Sequence, residues 1–225
     1  MRTRGYTAIM TPPKTASVPA PRAYHHGRLR EAVIEATLAL IEEAGPERVT
    51  VREAARRAGV SSGAPFRHFP DKTALMTAVA EAAMRRCRAE VERAADEARD
   101  DPPLEQLRAL GAAYLQWALR NPAQFKVAAE HAPIDVEGSA TLRAFDAGTQ
   151  NRIEAVLLAA RHAGQLQDGD LRDLQLGALA MVHGLARMAV DGRPFQRNAA
   201  PADAETRLLA ALDQYVEGLA RAEGR

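Results

Sequence analysis

The sequence predicts an all-α protein, and three observations carry this prediction. Alanine, the strongest helix former, supplies 48 of the 225 residues, whereas aromatic residues make up only 4%. Apolar residues recur every three to four positions over long stretches, and no stretch shows the every-second-residue alternation of a half-buried strand. Proline and glycine lie between the periodic stretches, where they end helices. We therefore expect about nine helices with many small side chains packed between them.

The first 23 residues are predicted to form a flexible arm. Residues 1–23 contain four prolines, few apolar side chains and no helical period. They are faintly basic, so the alternative is an arm that touches DNA. The helical period begins at Arg28 and ends where Gly45 precedes Pro46, an order typical of a helix C-terminus. This segment is the first predicted helix.

A helix, a turn and a short helix are predicted over Thr50–Phe69. Thr50 and Glu53 have the spacing of a capping box, which indicates a helix start. Gly59 can take the positive φ of a sharp turn. Ser61 or Ser62 is then expected to cap a third, very short helix that ends by Pro70. Two helices joined by a glycine-containing turn have the form of a helix-turn-helix, whose second helix can enter a DNA major groove.

The rest of the chain is predicted to form six further helices between proline and glycine breaks. Their expected bounds are about 72–100, 103–120, 122–131, 138–163, 171–191 and 203–222. Charge is divided unevenly between the two parts, because residues 1–72 carry a net charge of +5 and residues 73–225 a net charge of −4. A basic end joined to a mildly acidic remainder indicates an anionic partner at one end only.

The N-terminal part closely resembles the DNA-binding domain of TetR-type (TetR/AcrR) transcriptional regulators. The similarity lies in residues 24–30 (YHHGRLR) and 49–75 (VTVREAARRAGVSSGAPFRHFPDKTAL), and it is continuous from Tyr24 to Val79. It implies a helix-turn-helix DNA-binding domain at residues 24–72. It also implies a helical ligand-binding and dimerisation domain at residues 73–225.

The C-terminal part is similar to one subgroup of that family. Residues 121–125 (NPAQF) and 182–184 (VHG) carry this similarity. The subgroup usually shows a Trp-x-x-x-His-Gly pattern, and Leu179 stands where the tryptophan is expected.

The resemblance implies nine DNA-contacting residues. They are Thr50, Arg52, Ser62, Gly63, Ala64, Phe66, Arg67, His68 and Lys72. Thr50 and Lys72 match phosphate-binding positions, and Arg52 matches a position that can reach a base. The family commonly has threonine in place of Ala64 and tyrosine in place of Phe66. Ala64 cannot hydrogen-bond a base, and Phe66 lacks the hydroxyl that would bind phosphate, so one contact per half-site is expected to be missing. We therefore expect Arg67 and Arg52 to supply most of the base discrimination through bidentate bonds to guanine.

Four of these residues also have a purely structural interpretation. Arg52 and Arg67 could be solvated surface arginines, and Lys72 could support its own helix. His68 is equally compatible with a phosphate contact and with a packed, half-buried ring.

The resemblance places homodimerisation on the last two long helices, at about 171–191 and 203–222. Both carry apolar residues at intervals of three and four, which suits a four-helix bundle across a two-fold axis. The stripes are Leu171, Leu174, Ala178, Met181, Leu185 and Met188 on the first helix, and Leu208, Leu212, Tyr215 and Leu219 on the second. The alternative is that both stripes face the core of their own chain.

Five large side chains of the middle helices are candidates for a ligand site. They are Tyr114, Trp117, Phe125, His131 and Phe145. Aromatic walls with a few polar groups are typical of sites for apolar ligands, although sparse aromatic residues at helical spacing are more often ordinary core. The expected ligand is a small molecule of unknown identity that favours a conformer unable to bind DNA.

The leading interpretation is a homodimeric regulator of the repressor type, which binds a palindromic operator in double-stranded DNA and is released by a small-molecule ligand. The alternatives are a nucleic-acid-binding protein without ligand response, and a small all-α enzyme or carrier. No set of residues for catalysis is recognisable, so we expect no enzyme activity and no cofactor. His25 and His26 lack a third ligand at helical spacing, so no metal site is expected. A single cysteine, Cys87, and the absence of an apolar run of about 18 residues favour a cytoplasmic protein without a membrane span.

Overall fold

The described residues form an all-helical fold, as predicted. The computed structural model describes residues 26–129, 133–192 and 201–221, and the predicted arm at residues 1–23 lies outside them. Eight α-helices occur in these ranges. They are α1 (His26–Ala44), α2 (Val51–Arg57), α3 (Lys72–Glu97), α4 (Pro103–Arg120), α5 (Pro122–Ala129), α6 (Ala140–His162), α7 (Leu171–Val190) and α8 (Pro201–Leu219). None of the helices described in these ranges combines the length and the apolar character that crossing a bilayer requires.

The third predicted helix is a short 3₁₀ turn, which covers Ala64–Arg67. The expected serine cap is also wrong, since Gly63 occupies the cap position and no side chain caps the turn. Pro65 has no N–H to donate, and Pro70 disfavours a helical conformation at the residue before it. A regular α-helix therefore has no room to develop between these two prolines. Another 3₁₀ turn, Pro46–Arg48, joins α1 to α2.

The helix starts and turns follow from the local sequence. Thr50 accepts a hydrogen bond from Glu53 N at 3.1 Å, and Asp71 accepts one from Ala74 N at 2.8 Å. The predicted capping box is formed only in part, because Glu53 binds Arg56 with its carboxylate. Gly59 has a φ of 69°, the left-handed conformation that the sharp turn after α2 requires.

Helices α3 and α4 are the centre of the fold. α3 contacts α1 on one side and α4, α5 and α6 on the other, so it joins the N-terminal helices to the rest of the chain. α4 contacts α3, α5, α6, α7 and α8. The core between them contains large side chains such as Trp117, Phe125, Leu115 and Met76, together with many alanines. Small residues let the helices approach closely. A Cβ on Gly111 of α4 would lie 3.0 Å from Leu212 of α8.

The apolar stripe of α8 faces the core of its own chain. Leu208, Leu212 and Leu219 are buried within a single copy, so this stripe is unable to supply the expected contact with a second copy. The end of α8 is held by two backbone bonds, from Gln167 N to Leu219 O at 2.9 Å and from Arg221 N to Gln165 O at 2.7 Å. These bonds fix the inner face of α8 against the body of the molecule.

Candidate nucleic-acid interface and ligand cavity

A polar, exposed surface lies at the N-terminal end of the described structure. It is formed by the start of α2, the connection from Gly59 to the 64–67 turn, and the first residue of α3. Of the nine residues predicted to contact DNA, six are exposed: Thr50, Arg52, Ser62, Gly63, Phe66 and Arg67. Ala64, His68 and Lys72 are half-buried. The structure therefore places all nine on adjoining elements, most of them open to solvent.

This surface rests on a packed base. Pro65 and Phe69, on either side of the exposed pair Phe66 and Arg67, are buried. The guanidinium of Arg30 on α1 lies over the Phe69 ring, 5.9 Å from its centroid. These contacts hold the turn in place, so that Phe66 and Arg67 project from a rigid support. Phe66 is an exposed aromatic residue, with 39% of its surface accessible.

The four arginines between residues 50 and 69 fall into two pairs. Arg56 donates to Glu53 at 3.0 Å, and Arg57 forms an ion pair with Glu43 of α1. Arg52 and Arg67 are exposed and form no ion pair or hydrogen bond with any residue that the structure describes. Of these four arginines, therefore, only Arg52 and Arg67 have all their hydrogen-bond donors open to a partner in solution.

Lys72 and His68 sit at the edge of the surface. Lys72 Nζ donates to the carbonyl oxygen of Glu47 at 2.8 Å, which ties the start of α3 to the turn before α2. This bond joins two elements and does not support α3 alone, and the remaining two donors of Lys72 are open to another acceptor. The His68 ring lies 6.3 Å from that of Phe69, consistent with a half-buried packed side chain.

A cavity of about 400 Å³ lies between α3, α4, α6, α7 and α8. Its walls are mainly apolar. They include Val91, Leu107, Leu110, Phe145, Ile153, Leu179, Val182 and Val216. Its volume falls within the range of small-molecule sites. Polar side chains in the lining include Tyr114, Asp146, Thr149, His183 and Tyr215.

Tyr114 and His183 form a polar pair in the cavity wall. Tyr114 Oη lies 3.1 Å from His183 Nδ1, and the His183 ring lies 5.6 Å from the Phe125 ring behind it. Burial, together with the positive charge of Arg187, lowers the pKa of His183. Burial raises the pKa of Tyr114, so its hydroxyl keeps its proton. The pair is therefore a neutral donor and acceptor inside a largely apolar wall.

The structure brings together two of the five residues predicted to bind a ligand. Tyr114 and Phe145 line the cavity. Trp117 and Phe125 lie behind the wall, at 0% and 1% exposure, because they face the core between α4 and α5 and not the space beside α6. His131 lies outside the described residues.

Sequence reasoning missed several residues of the cavity wall. His183 lies in the segment that suggested the C-terminal subgroup, yet it was not among the predicted ligand contacts. Asp146 and Thr149 were not predicted because the prediction selected large side chains only. The sequence pattern could have identified them, because both are polar residues at positions of α6 where the helical period predicts apolar residues.

Cys87 also lines the cavity, but it is poorly suited to chemistry there. Burial raises the pKa of its thiol to about 12, so it remains protonated and weakly nucleophilic at neutral pH. Within the described ranges, no cluster of His, Cys, Asp or Glu is arranged to hold a metal ion.

The outer faces of α7 and α8 expose apolar and small residues. On α7, Leu176 is 66% and Met188 41% exposed, and Ala180 and Gly184 lie between them at intervals of four. On α8, Ala210, Gln214 and Gly218 are exposed at the same interval. We call these seven residues the α7–α8 outer face. It differs from the stripes expected from the sequence, of which only Met188 belongs to it.

A helix-turn-helix surface at one end of an all-α chain indicates a DNA-binding regulator. Two family profiles match the chain. Residues 33–79 match "Bacterial regulatory proteins, tetR family", and residues 107–215 match "Tetracyclin repressor-like, C-terminal domain". The chain belongs to the TetR family, whose members are DNA-binding transcription regulators and not enzymes. The Trp-x-x-x-His-Gly subgroup stays a prediction.

Individual relatives agree with this assignment. The chain is 32% identical over 104 residues to the nucleoid occlusion factor SlmA of Vibrio vulnificus, covering 46% of this chain and 52% of SlmA. It is 40% identical over 81 residues to the transcriptional regulator BetI of Stenotrophomonas maltophilia, covering 36% and 41% of the two chains. The matches thus span about half or less of these relatives. A solved structure of a protein of unknown function from Rhodococcus sp. RHA1 superposes with a TM-score of 0.72 at 30% identity, covering 89% of this chain and all of that one.

Proposed function

We propose that this DNA-binding regulator is a homodimeric repressor, which binds a palindromic operator and is released by a small molecule held in the cavity. In this proposal residues 24–72 read DNA, and residues 73–225 bind the ligand and form the dimer. One observation carries the proposal. Arg52 and Arg67 are exposed and unpaired among the described residues, whereas the neighbouring Arg56 and Arg57 are neutralised by carboxylates.

Base reading is assigned to Arg67 and Arg52. A guanidinium can bond guanine O6 and N7 together, and such a pair discriminates against the wrong base by about 1–3 kcal/mol. Gly63, Ala64 and Phe66 have no side-chain hydrogen-bonding group, so their contribution is contact area and fit against the groove, whereas the Ser62 hydroxyl can donate and accept a hydrogen bond. Thr50, Lys72 and His68 are proposed to face phosphates, which fix the position of the protein on the duplex.

Dimerisation follows from the small size of one reading surface. A single helix-turn-helix contacts only a small area of DNA, and linking two copies multiplies the binding affinity. The α7–α8 outer face supports an interface, because it combines exposed Leu176 and Met188 with Ala180 and Gly184, which allow helices to approach closely. Half-sites about 34 Å apart would match two such surfaces across a two-fold axis.

Ligand release is assigned to the cavity because of where it lies. Its walls come from α3, which begins at the DNA-facing surface with Lys72, and from α7 and α8, which carry the outer face. A ligand that favours one arrangement of these helices shifts the population toward it. A conformer whose two helix-turn-helix surfaces do not match the spacing of the half-sites would dissociate from the operator. The expected cytoplasmic location accords with this role and stays a prediction.

The experiment is selection and sequencing of genomic fragments bound by the purified full-length chain at physiological salt. Recovery of an inverted repeat supports the dimeric, sequence-specific regulator. Recovery of unenriched DNA contradicts it and favours the alternative of a non-specific nucleic-acid binder. Transcription from a promoter that contains the recovered repeat then distinguishes repression from activation.

A further inference from the structure

One carboxylate on α3 contacts both the first helix of the chain and the start of α6. Glu81 Oε1 accepts a hydrogen bond from the Ser139 hydroxyl at 2.8 Å, and Glu81 Oε2 lies 3.6 Å from a guanidinium nitrogen of Arg30 on α1. The Glu81 side chain is only 20% exposed, so water competes weakly for its two oxygens. A single half-buried side chain therefore links α1 to α6.

Ser139 fixes the place where α6 begins. It is buried, and its hydroxyl oxygen also accepts a hydrogen bond from Leu142 N at 3.1 Å, which caps the helix. One turn before Glu81 on α3, Thr77 accepts a hydrogen bond from Asp135 N at 2.8 Å. The segment that leads into α6 is therefore bound to α3 at two successive turns. From there α6 continues into the wall of the cavity.

Arg30 contacts the packed base of the DNA-facing surface. Its guanidinium lies over the buried Phe69 ring, 5.9 Å from the centroid. Phe69 N and His68 N both donate to Pro65 O at 2.8 Å, so this ring directly follows the hydrogen bonds that close the 64–67 turn. A charge-assisted N–H···O bond is about 2.7–2.9 Å long, so the distance of 3.6 Å to Glu81 leaves an ion pair without a hydrogen bond. Arg30 is therefore shared between a carboxylate and an aromatic ring.

We propose that Glu81 is a positioning residue, which transmits a displacement of the start of α6 to the DNA-facing turn. While Ser139 donates to Glu81, the carboxylate is held back from Arg30, and the guanidinium stays on Phe69. When the start of α6 withdraws, Glu81 forms the shorter charge-assisted bond to Arg30 and draws the guanidinium off the ring. The 64–67 turn then loses part of its support. This inference rests on the proposed function for the cause of the displacement, which is a ligand against α6.

Hydrogen exchange of the His68 and Phe69 backbone amides in the purified full-length chain tests the inference. Ser139→Gly removes the donor to Glu81, and glycine is nearly as good a helix cap as serine, so α6 should stay folded. Exchange should become about two- to fivefold faster, the ratio expected for the loss of one cation–π contact. The matched control is Asp170→Gly, which changes the residue that caps α7 by accepting from Arg172 N at 2.8 Å. This control should leave exchange at the turn unchanged.

The double variant Ser139→Gly/Glu81→Gln distinguishes the positioning role from a merely structural one. A neutral amide does not compete with the ring for the guanidinium as a carboxylate does, so exchange at His68 and Phe69 should return to the wild-type rate. Ser139→Ala removes the same hydroxyl without adding backbone freedom, and it should reproduce the faster exchange. An unchanged rate in both Ser139 variants would overturn the inference. Equally fast exchange in the single and the double variant would do the same, because it would reflect loss of the cap alone.

The exchange measurement needs neither DNA nor a ligand, so it is independent of the proposed function. If it fails, the role of Glu81 is removed and the proposed repressor stands. If the genomic selection recovers no inverted repeat, the proposed repressor is contradicted and the exchange ratios still decide the role of Glu81.

Discussion

The hydroxyl of Tyr114 on α4 lies 3.1 Å from Nδ1 of His183 on α7, and this contact closes one wall of the cavity. A neutral imidazole with its proton on Nε2 accepts the tyrosine O–H at Nδ1. A protonated imidazole would lose that acceptor and face the positive charge of Arg187. The contact therefore ties the packing of α4 against α7 to the protonation state of one histidine.

Stability should consequently fall at mildly acidic pH. The pKa of His183 in the folded chain is lowered from its ordinary value of 6.5, so the unfolded chain binds more protons in the interval between the two values. The stabilisation is complete above pH 6.5 and is lost as pH falls through the lowered pKa. Thermal unfolding of the wild type and of His183→Gln across this interval measures the effect. An identical pH dependence in both proteins would exclude His183 as its cause.

Loss of Arg67 should reduce sequence preference. Arg67→Ala is expected to weaken binding to the selected operator by about 1–3 kcal/mol and to leave binding to random DNA nearly unchanged. The matched control is Arg56→Ala, because the Arg56 guanidinium is already engaged by Glu53. Fluorescence anisotropy of the wild type and the two variants with both DNAs gives the six affinities. Equal losses on operator and random DNA for Arg67→Ala would remove its assigned role.

Loss of Lys72 should act differently. Lys72→Ala removes a cation assigned to a phosphate, so binding should weaken evenly across sequences. The slope of log affinity against log salt concentration should decrease by about one unit for each subunit. Because Lys72 also bonds the carbonyl of Glu47, the unfolding free energy of the variant is measured in parallel. An unchanged salt slope in a folded variant would leave only the structural role.

The turn after α2 should be sensitive at one glycine. Gly59 has a φ of 69°, and Gly59→Ala should lower the free energy of unfolding by about 1–2 kcal/mol through backbone strain. Open space surrounds the site, so a steric clash would not contribute. Gly63→Ala is the control, since Gly63 has an ordinary φ of −90° and equal space. Chemical denaturation should therefore separate the two variants; equal stabilities would refute the strain.

The α7–α8 outer face should control assembly. Ala180→Arg places a long charged side chain on this face, where it is expected to convert a dimer into folded monomers. Ala89→Arg, at an exposed position on α3, should leave the dimer intact. Light scattering gives the mass and circular dichroism the fold. A dimer that persists in Ala180→Arg would place the interface elsewhere.

Much of the fold could be predicted from local signals, because residues such as Thr50, Gly59 and Asp71 fix helix ends by their own chemistry. Periodicity also indicated which residues of each helix face inward. It could not show which helices diverge enough to leave a space between them. Trp117 and Phe125 were therefore assigned to the cavity although they fill the core beside it. For the same reason the pattern predicts a contact with a partner for Leu208 and Leu212, with the core of their own chain as the alternative, and the structure places both in that core.

Helix α8 has a different environment on each side. Its inner residues Leu212, Tyr215 and Val216 line the cavity, whereas Ala210, Gln214 and Gly218 face outward. When two copies join through that outward side, each cavity shares a wall helix with the subunit contact. If ligand binding shifts α8, occupancy and assembly are thermodynamically linked, and the apparent ligand affinity would depend on protein concentration. Titrations at a single dilution would report a mixture of two equilibria, and a dilution series would resolve them.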